Sequence, residues 1–313
     1  MADSIIVRPL EQHELPEADR VFRLAFGTAA GLPDPLQMFG DAGYMHRWLI
    51  TTGQAFAVEV EDRIVGSNFL NRWGSLGTFG PLTVHPDYWN QGVASALMET
   101  TTRQFAAWET PTVAFFTSSH SPKHLWFYGK FGFAPGYLTT VLEKPVQPMS
   151  SPETVTFSTL SAEQQSEALQ AAQHLTEAIY PGLDVGAEIQ LVQNHRLGET
   201  LLLWNDGGLD AFAVCHCGSG SEAGSNHCYV KFGAVRPGQS VADRFEQLLE
   251  SCEAFAFKQQ VTTLTAGINT SRYDAYQQML ARGFKIRLIG VAMHQPPEQD
   301  YCRSDVYVLD DRR

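Results

Sequence analysis

The sequence is poor in basic residues. Its 313 residues hold 22 Lys and Arg against 34 Asp and Glu, a formal net charge of -12. By halves, residues 1–150 carry 10 basic and 14 acidic groups and residues 151–313 carry 12 and 20. Neither half has the cationic excess with which a nucleic-acid binder displaces counterions. The chain also lacks any apolar run near the ~20 residues that span a bilayer, and its opening MADSIIVRPL has no basic stretch leading into an apolar one. Cysteine is missing from the first half. The five in the second, Cys215, Cys217, Cys228, Cys252 and Cys302, are odd in number, which argues against a disulfide framework. These absences point to a cytoplasmic chain with no nucleic-acid or membrane partner, long enough for two domains with sizeable cores.

What is present is one pattern written twice. A hydrophilic break, KPVQPMSSPET from Lys144 to Thr154, divides the chain nearly in half. Ahead of it, hydrophobic periodicity predicts a strand in SIIVRPL, an amphipathic helix in ELPEADRVFRLAF, and a second helical stretch from Asp34 to Ile50. A hairpin turning at Glu61-Asp62 follows, then a strand in GTFGPLTV. Val93, Ala94, Leu97, Met98, Thr101 and Phe105 share one face of the next predicted helix, which Pro111 ends. TVAFFT reads as a buried strand, SPKHLWFYGKFGF as a short helix and YLTTVLEK as a last strand. A shift of 151 residues lays Val84 on Val235, Pro86 on Pro237, Leu97 on Leu248, Gly132 on Gly283 and Phe133 on Phe284 without a gap. Two copies of one α/β unit are expected.

The stretch HPDYWNQGVASALM, His85 to Met98, has a single acid, Asp87. A turn without carboxylates that opens a helix is suited to an anion, because free N–H groups and the positive end of the helix dipole point at it. Gly92 and Ala94 let the backbone approach closely. In the second copy the same shift turns Gly92 into Asp243, Ser95 into Glu246 and Tyr128 into Met279, so two carboxylates are expected where phosphates would sit.

Leu82-Thr83-Val84-His85-Pro86, then Trp89-Asn90-Gln91-Gly92-Val93-Ala94-Ser95, then the FYGKFGF of Phe127 and Tyr128, resemble the signatures of the GNAT superfamily of acyl-CoA N-acyltransferases, in particular its tandem-domain, mycothiol-synthase-like members. The resemblance implies an α/β (α+β) fold of two tandem domains, each a mixed, mostly antiparallel sheet flanked by helices. Residues 1–147 would be a catalytic acetyl-CoA-binding domain and 153–313 a degenerate copy without a cofactor site. It implies an acetyl-CoA-dependent N-acetyltransferase in which a primary amine of a small molecule attacks the thioester directly, with no metal. A main-chain N–H near Val84 would hold the oxyanion and Tyr128 would protonate the leaving thiolate, aided by a modest depression of its pKa. His120, or His124, would take the amine's proton. The donor would lie along Leu82, Thr83, Val84, Trp89, Asn90, Gln91, Gly92, Val93, Ala94 and Ser95, with Ser121, His124 and Phe127 alongside. Trp89 stands where the family has Arg or Gln, so a side-chain contact to the pyrophosphate is missing and packing is its expected role.

Met38, Phe39, Tyr44, Met45 and Trp48, with Asp41, are candidates for an acceptor wall. Cys215, Cys217, His227 and Cys228 invite a metal reading, but their spacing is not that of a zinc knuckle and ordinary buried cysteines are expected. Val306 and Val308 alternate with Tyr307 and Leu309 as an added strand, and Asp310 and Asp311 bring acids towards the active domain. Three alternatives stay open: a non-catalytic acyl-CoA-binding or sensory protein, a longer acyl donor, and a protein or peptide amine as acceptor. Homodimerisation is also left open.

Overall fold

The structure, a computed structural model, describes residues 5–149, 154–295 and 301–313. In the first half, strand β1 (Ile6–Pro9) leads to helix α1 (Leu15–Ala29), strands β2 (Gln54–Val60), β3 (Arg63–Trp73), β4 (Leu76–Phe79) and β5 (Thr83–Val84), helix α2 (Val93–Ala107), strand β6 (Thr112–Ser118), helix α3 (Pro122–Gly129) and strand β7 (Ala134–Pro145). The second half repeats the order with β8 (Val155–Thr156), α4 (Ala162–Ile179), α5 (Gly186–His195), β9 (Gly198–Asn205), β10 (Gly208–Gly218), β11 (Gly224–Val235), α6 (Val241–Lys258), β12 (Thr263–Asn269), α7 (Tyr273–Ala281), β13 (Lys285–Gln295) and β14 (Val308–Leu309). The 151-residue shift carries β6 onto β12, Thr112 to Thr263 and Ser118 to Asn269.

Local chemistry accounts for most boundaries. Glu61 and Asp62 both take left-handed φ, 48° and 59°, as a two-residue hairpin turn between twisted strands requires. The expected helix from Asp34 to Ile50 is not there. That stretch is a loop with two short 3-10 turns, Pro35–Gln37 and Met45–Leu49. Phe39 and Gly40 adopt left-handed φ, and a Cβ on Gly43 would stand 2.6 Å from the Gly220 carbonyl. Three Arg23 bonds, to the carbonyls of Met38, Gly40 and Ala42, hold the loop in place of helical ones.

The sheet runs unbroken through both halves in the order β1-β2-β3-β4-β6-β13-β7-β12-β11-β10-β9-β8. All neighbours are antiparallel except β4 with β6 and β11 with β12. Each half gives away its last long strand: β13 of the second half pairs with β6 of the first, and β7 of the first pairs with β12 of the second. The hydrophilic break therefore separates two repeats in sequence but not two sheets in space. One core is shared as well, since Trp73, Leu76 and Ala114 pack with Leu183, Phe212 and Phe232.

A polypeptide of residues 1–147 alone would leave β6 without β13 and β7 without either neighbour. Val141 and Leu142, both buried, would face water. We expect that fragment to lack a cooperative thermal transition and to associate through its open edges, as checked by calorimetry and size-exclusion chromatography.

Candidate functional site

In the first half, β4 and β6 are paired only at Leu76–Thr112 and Gly77–Val113, and then part. Past Gly80-Pro81 the chain continues as β5, held to β3 by Gly66–Val84 and Ser67–Thr83. His85 N–H is bonded to Val65 O of β3 at 2.8 Å. By strand alternation the N–H groups of Val84 and Leu82 point the other way, into the opening. From the far wall, Thr112 N–H faces β4 through Ser75 O at 3.4 Å, so Phe116 N–H also looks into the gap.

The Gly92 corner closes one end of this gap. Gly92 caps α2 with φ 89°, and Asn90 is left-handed at φ 62°. The first turn of α2 carries no acid. Among the described residues no acceptor is bonded to the N–H groups of Gln91, Gly92, Val93, Ala94 or Ser95. Trp89 donates its indole N–H to Val84 O at 2.7 Å and pins the turn, while remaining 37% exposed. Gln91 Nε2 bonds Asp87 O at 2.7 Å. Asn90 Oδ1 accepts from Lys123 Nζ at 2.8 Å. Lys123 thus brings from α3 the positive charge that position 89 lacks. It was not among the expected residues, although a lysine in the first turn of a helix, at the wrong end for the dipole, is a signal of another use.

Tyr128 stands on α3 with its ring edge-on to Phe115 at 4.4 Å and 6.1 Å from Phe79. Its hydroxyl bonds to no group among the described residues. Desolvation by burial pushes the phenol up from its usual pKa, so no depression narrows the gap to the thiol. Phe127, half-buried, packs edge-on against Tyr128 and Phe131. Ser121 caps α3 by accepting from His124 N–H. His124 is exposed at the start of α3, its imidazole lowered by partial desolvation and by the Lys123 ammonium. His120 lies on an exposed turn with Nδ1 3.3 Å from Ser119 Oγ. Thr83 keeps its hydroxyl buried against Ser67 at 3.0 Å and the Val93 side chain is in the core, so both can offer a ligand only backbone.

The second half has the same opening and fills it. There β11 and β12 are paired from His227–Thr263 to Val230–Ala266. Beyond that point β14 lies along β11, with Leu309 opposite Gly233 and Val308 opposite Ala234, and Asp310 N–H reaches Gly267 O of β12 at 2.8 Å. A Cβ on Gly267 would stand 2.2 Å from that of Asp311, so only glycine leaves room for this segment. The electrostatic expectation for this copy needs correcting. Asp243 is in the first turn of α6, but Glu246 is paired with Arg282 and accepts from Gln278 Nε2, so its charge is largely answered. In the second half the chain's own segment occupies the gap. Met279 is wholly buried where Tyr128 stands in the first half.

Between the halves lies a charged cluster that local sequence did not announce. Glu222 accepts from Arg47 Nε and Nη2 at 2.8 and 2.7 Å and from Lys231 Nζ at 3.0 Å. Burial alone would raise its pKa, but these two cations hold it well below the usual range. His46, His216 and Glu222 bring ligand atoms within 4.8 Å of one another. They suit a metal poorly. His216 Nδ1 accepts from Glu222 N–H at 3.3 Å, which leaves the proton on Nε2 facing Glu188 at 3.6 Å, and Glu222 already serves two cations. Cys215 is buried against Cys228 and Cys252, on the opposite face of β10 from His216. Of the expected acceptor wall, Met45 and Trp48 pack into the core, and Asp41 is spent on Ser225 N–H at 3.1 Å. Phe39 does line a cleft of about 330 Å³, together with Glu222, Tyr229, Leu288 and Arg313.

Residues 51–135 match the family model described as an acetyltransferase (GNAT) domain. No curated protein matches the chain by sequence. Among solved structures it is similar to a Pyrococcus horikoshii protein assigned as an acetyltransferase, at 13% identity and TM-score 0.67, over 97% of this chain and 93% of that one. A GCN5-related N-acetyltransferase from Sphaerobacter thermophilus is similar at 14% identity and TM-score 0.60, over 95% and 96%. A tandem GNAT protein from the clavulanic acid biosynthesis pathway is similar at 14% identity and TM-score 0.58, over 95% and 99%. At these identities the structures speak for the fold, and the domain match speaks for the first half. The chain thus carries a GNAT acetyltransferase domain in its first half and has, over its whole length, the tandem GNAT fold.

Proposed function

We propose that the protein is an acetyl-CoA-dependent N-acetyltransferase that works through its first half and acetylates a primary amine of a small molecule. One observation carries this reading. Of the two equivalent gaps, that of the first half is open between an amide-rich corner and a tyrosine, whereas that of the second is closed by the chain itself. The diphosphate of the donor would rest on the N–H groups beside Gly92, helped by Lys123, and the pantetheine would run along Leu82 to Val84. The N–H groups of Leu82 and Val84 are preorganised by β3 to meet the oxyanion of the tetrahedral intermediate. Tyr128 is placed to return a proton to the thiolate.

The raised pKa of Tyr128 fits an acid rather than a base. An acid whose pKa is raised keeps its proton to higher pH, so its ionisation limits the rate only above the ordinary phenol range. The thiolate feels the same desolvation, so the two pKa values move together. With saturating donor, the rate is expected to climb with pH as the acceptor amine, pKa ~10.4, loses its proton, with no alkaline decline below about pH 10. A decline with a midpoint near pH 8 that vanishes in Tyr128→Phe would contradict this. The function itself is tested by calorimetric titration with coenzyme A and acetyl-CoA, followed by an amine screen for release of free thiol. Absence of any heat with either nucleotide would end the proposal. No helix among the described residues is long and apolar enough to cross a membrane.

A further inference from the structure

The segment that closes the second gap does not stop there. Past Asp310 it crosses to the first half, where Arg312 O accepts from Phe116 N–H at 3.2 Å. Four residues on from the Leu76–Thr112 pair, Phe116 is level with Gly80 on the opposite wall. At that level Arg47 Nη1 donates to Gly80 O and Nη2 to Arg313 O, both at 2.8 Å, and Lys231 Nζ reaches Arg313 O at 2.7 Å. The first gap is therefore spanned at the Gly80–Phe116 level by residues 312 and 313 with Arg47. It stays open from Leu82 towards Gly92.

We propose that the segment Asp310–Arg313 is a stop that sets how long an acyl group the first half accepts. This rests on the reading of the first half as the donor site, and it favours a short acyl donor over a long one. The two N–H groups aimed into the open part belong to Val84 and Leu82, and Leu82 is the nearer to the stop. With a thioester carbonyl on Leu82 N–H, the Gly80 level is less than about 7 Å away, because Thr83 and Gly80 face Ser67 and Phe69 of β3, only two residues apart. Contact with the segment takes up at least about half of that, leaving room for an acyl chain of about two carbons.

The stop is rigid because the second half holds it. Asp310, Asp311 and Arg312 are each less than 5% exposed. Tyr229 Oη donates to Asp311 at 2.8 Å, Arg272 Nη1 donates to Val308 O at 2.7 Å, and Leu309 is seated on Gly233. On this account the second half, having no donor site of its own, is the clamp that positions the stop in its neighbour.

The experiment is a calorimetric titration of the full chain with acetyl-, butanoyl- and hexanoyl-CoA, which needs no knowledge of the acceptor. Hexanoyl-CoA should bind roughly 10- to 100-fold more weakly than acetyl-CoA, the range expected for forcing extra methylenes into a packed site. In Gly267→Val, whose side chain collides with Asp311, that ratio should fall towards one while acetyl-CoA affinity is kept. Leu309→Ala, which loosens the anchor without adding bulk, should move it the same way and serves if the valine variant does not fold. Equal affinity for the three donors in the unaltered protein overturns the stop, as does undiminished discrimination in folded variants. If no coenzyme A derivative binds at all, the donor-site reading is what fails, and the stop falls with it.

Discussion

Replacing Ser95 with Glu is expected to weaken acetyl-CoA binding while making the protein slightly more stable. Ser95 lies in the first turn of α2, beside the unbonded N–H groups at Gly92. A carboxylate there complements the helix dipole and should add about 0.3–1 kcal/mol of stability. The same charge would stand about 5 Å from a bound diphosphate, where repulsion at an effective dielectric near 20 amounts to roughly 3 kcal/mol for each unit charge, or at least about 100-fold in Kd. Ser95→Gln, of nearly the same shape, isolates the charge and should leave affinity within about threefold, a difference of less than ~1 kcal/mol. Calorimetric titration gives the affinities and a thermal melt the stability. If the Glu and Gln variants bind alike, the anion does not sit at this corner. Raised salt should narrow the gap between them, because the repulsion acts in a half-exposed site.

The second large effect is expected at Tyr128. Changing it to Phe keeps the ring edge-on to Phe115 and removes only the hydroxyl, so packing should hardly alter. If that hydroxyl protonates the thiolate, kcat should fall by about 100-fold or more, the usual contribution of a general acid, with the Kd for acetyl-CoA unchanged. The result also separates an enzyme from a protein that merely binds acyl-CoA. In a sensory protein the variant would bind the nucleotide as before, and there would be no turnover to lose in the parent. A loss of affinity together with rate would instead make Tyr128 a packing residue of the donor channel.

The residues involved explain why some of this was legible beforehand and some not. The corner at Gly92 could be read because everything it needs is contiguous: a strand end at Val84, a glycine able to take φ 89°, and a helix without acids in its first turn. Tyr128 was found by its place in a short motif. The rise of its pKa is not legible there, because the rings packed on it, Phe79 and Phe115, come from β4 and β6. The stretch from Asp34 to Ile50 was misread as helix because its apolar spacing is helical. Prolines and left-handed residues break it up, and its role is to bond the second half through Arg47 and Gly43. Lys123 is not legible from local sequence because its partner, Asn90, is 33 residues away.

The amino-acid sequence by itself determined the repeat, the order of helices and strands, and the difference between Gly92 and its acidic counterpart. These follow from periodicity and from residue chemistry within a few positions of each other. The tertiary structure alone decided that β7 and β13 change places, that Val308 to Asp310 fill the second gap, and that Arg312 and Arg313 end in the first. The reason is physical. Backbone hydrogen bonds read strand direction and register rather than side-chain identity, so which edge a strand joins depends on which distant surfaces are left uncovered once both cores have formed.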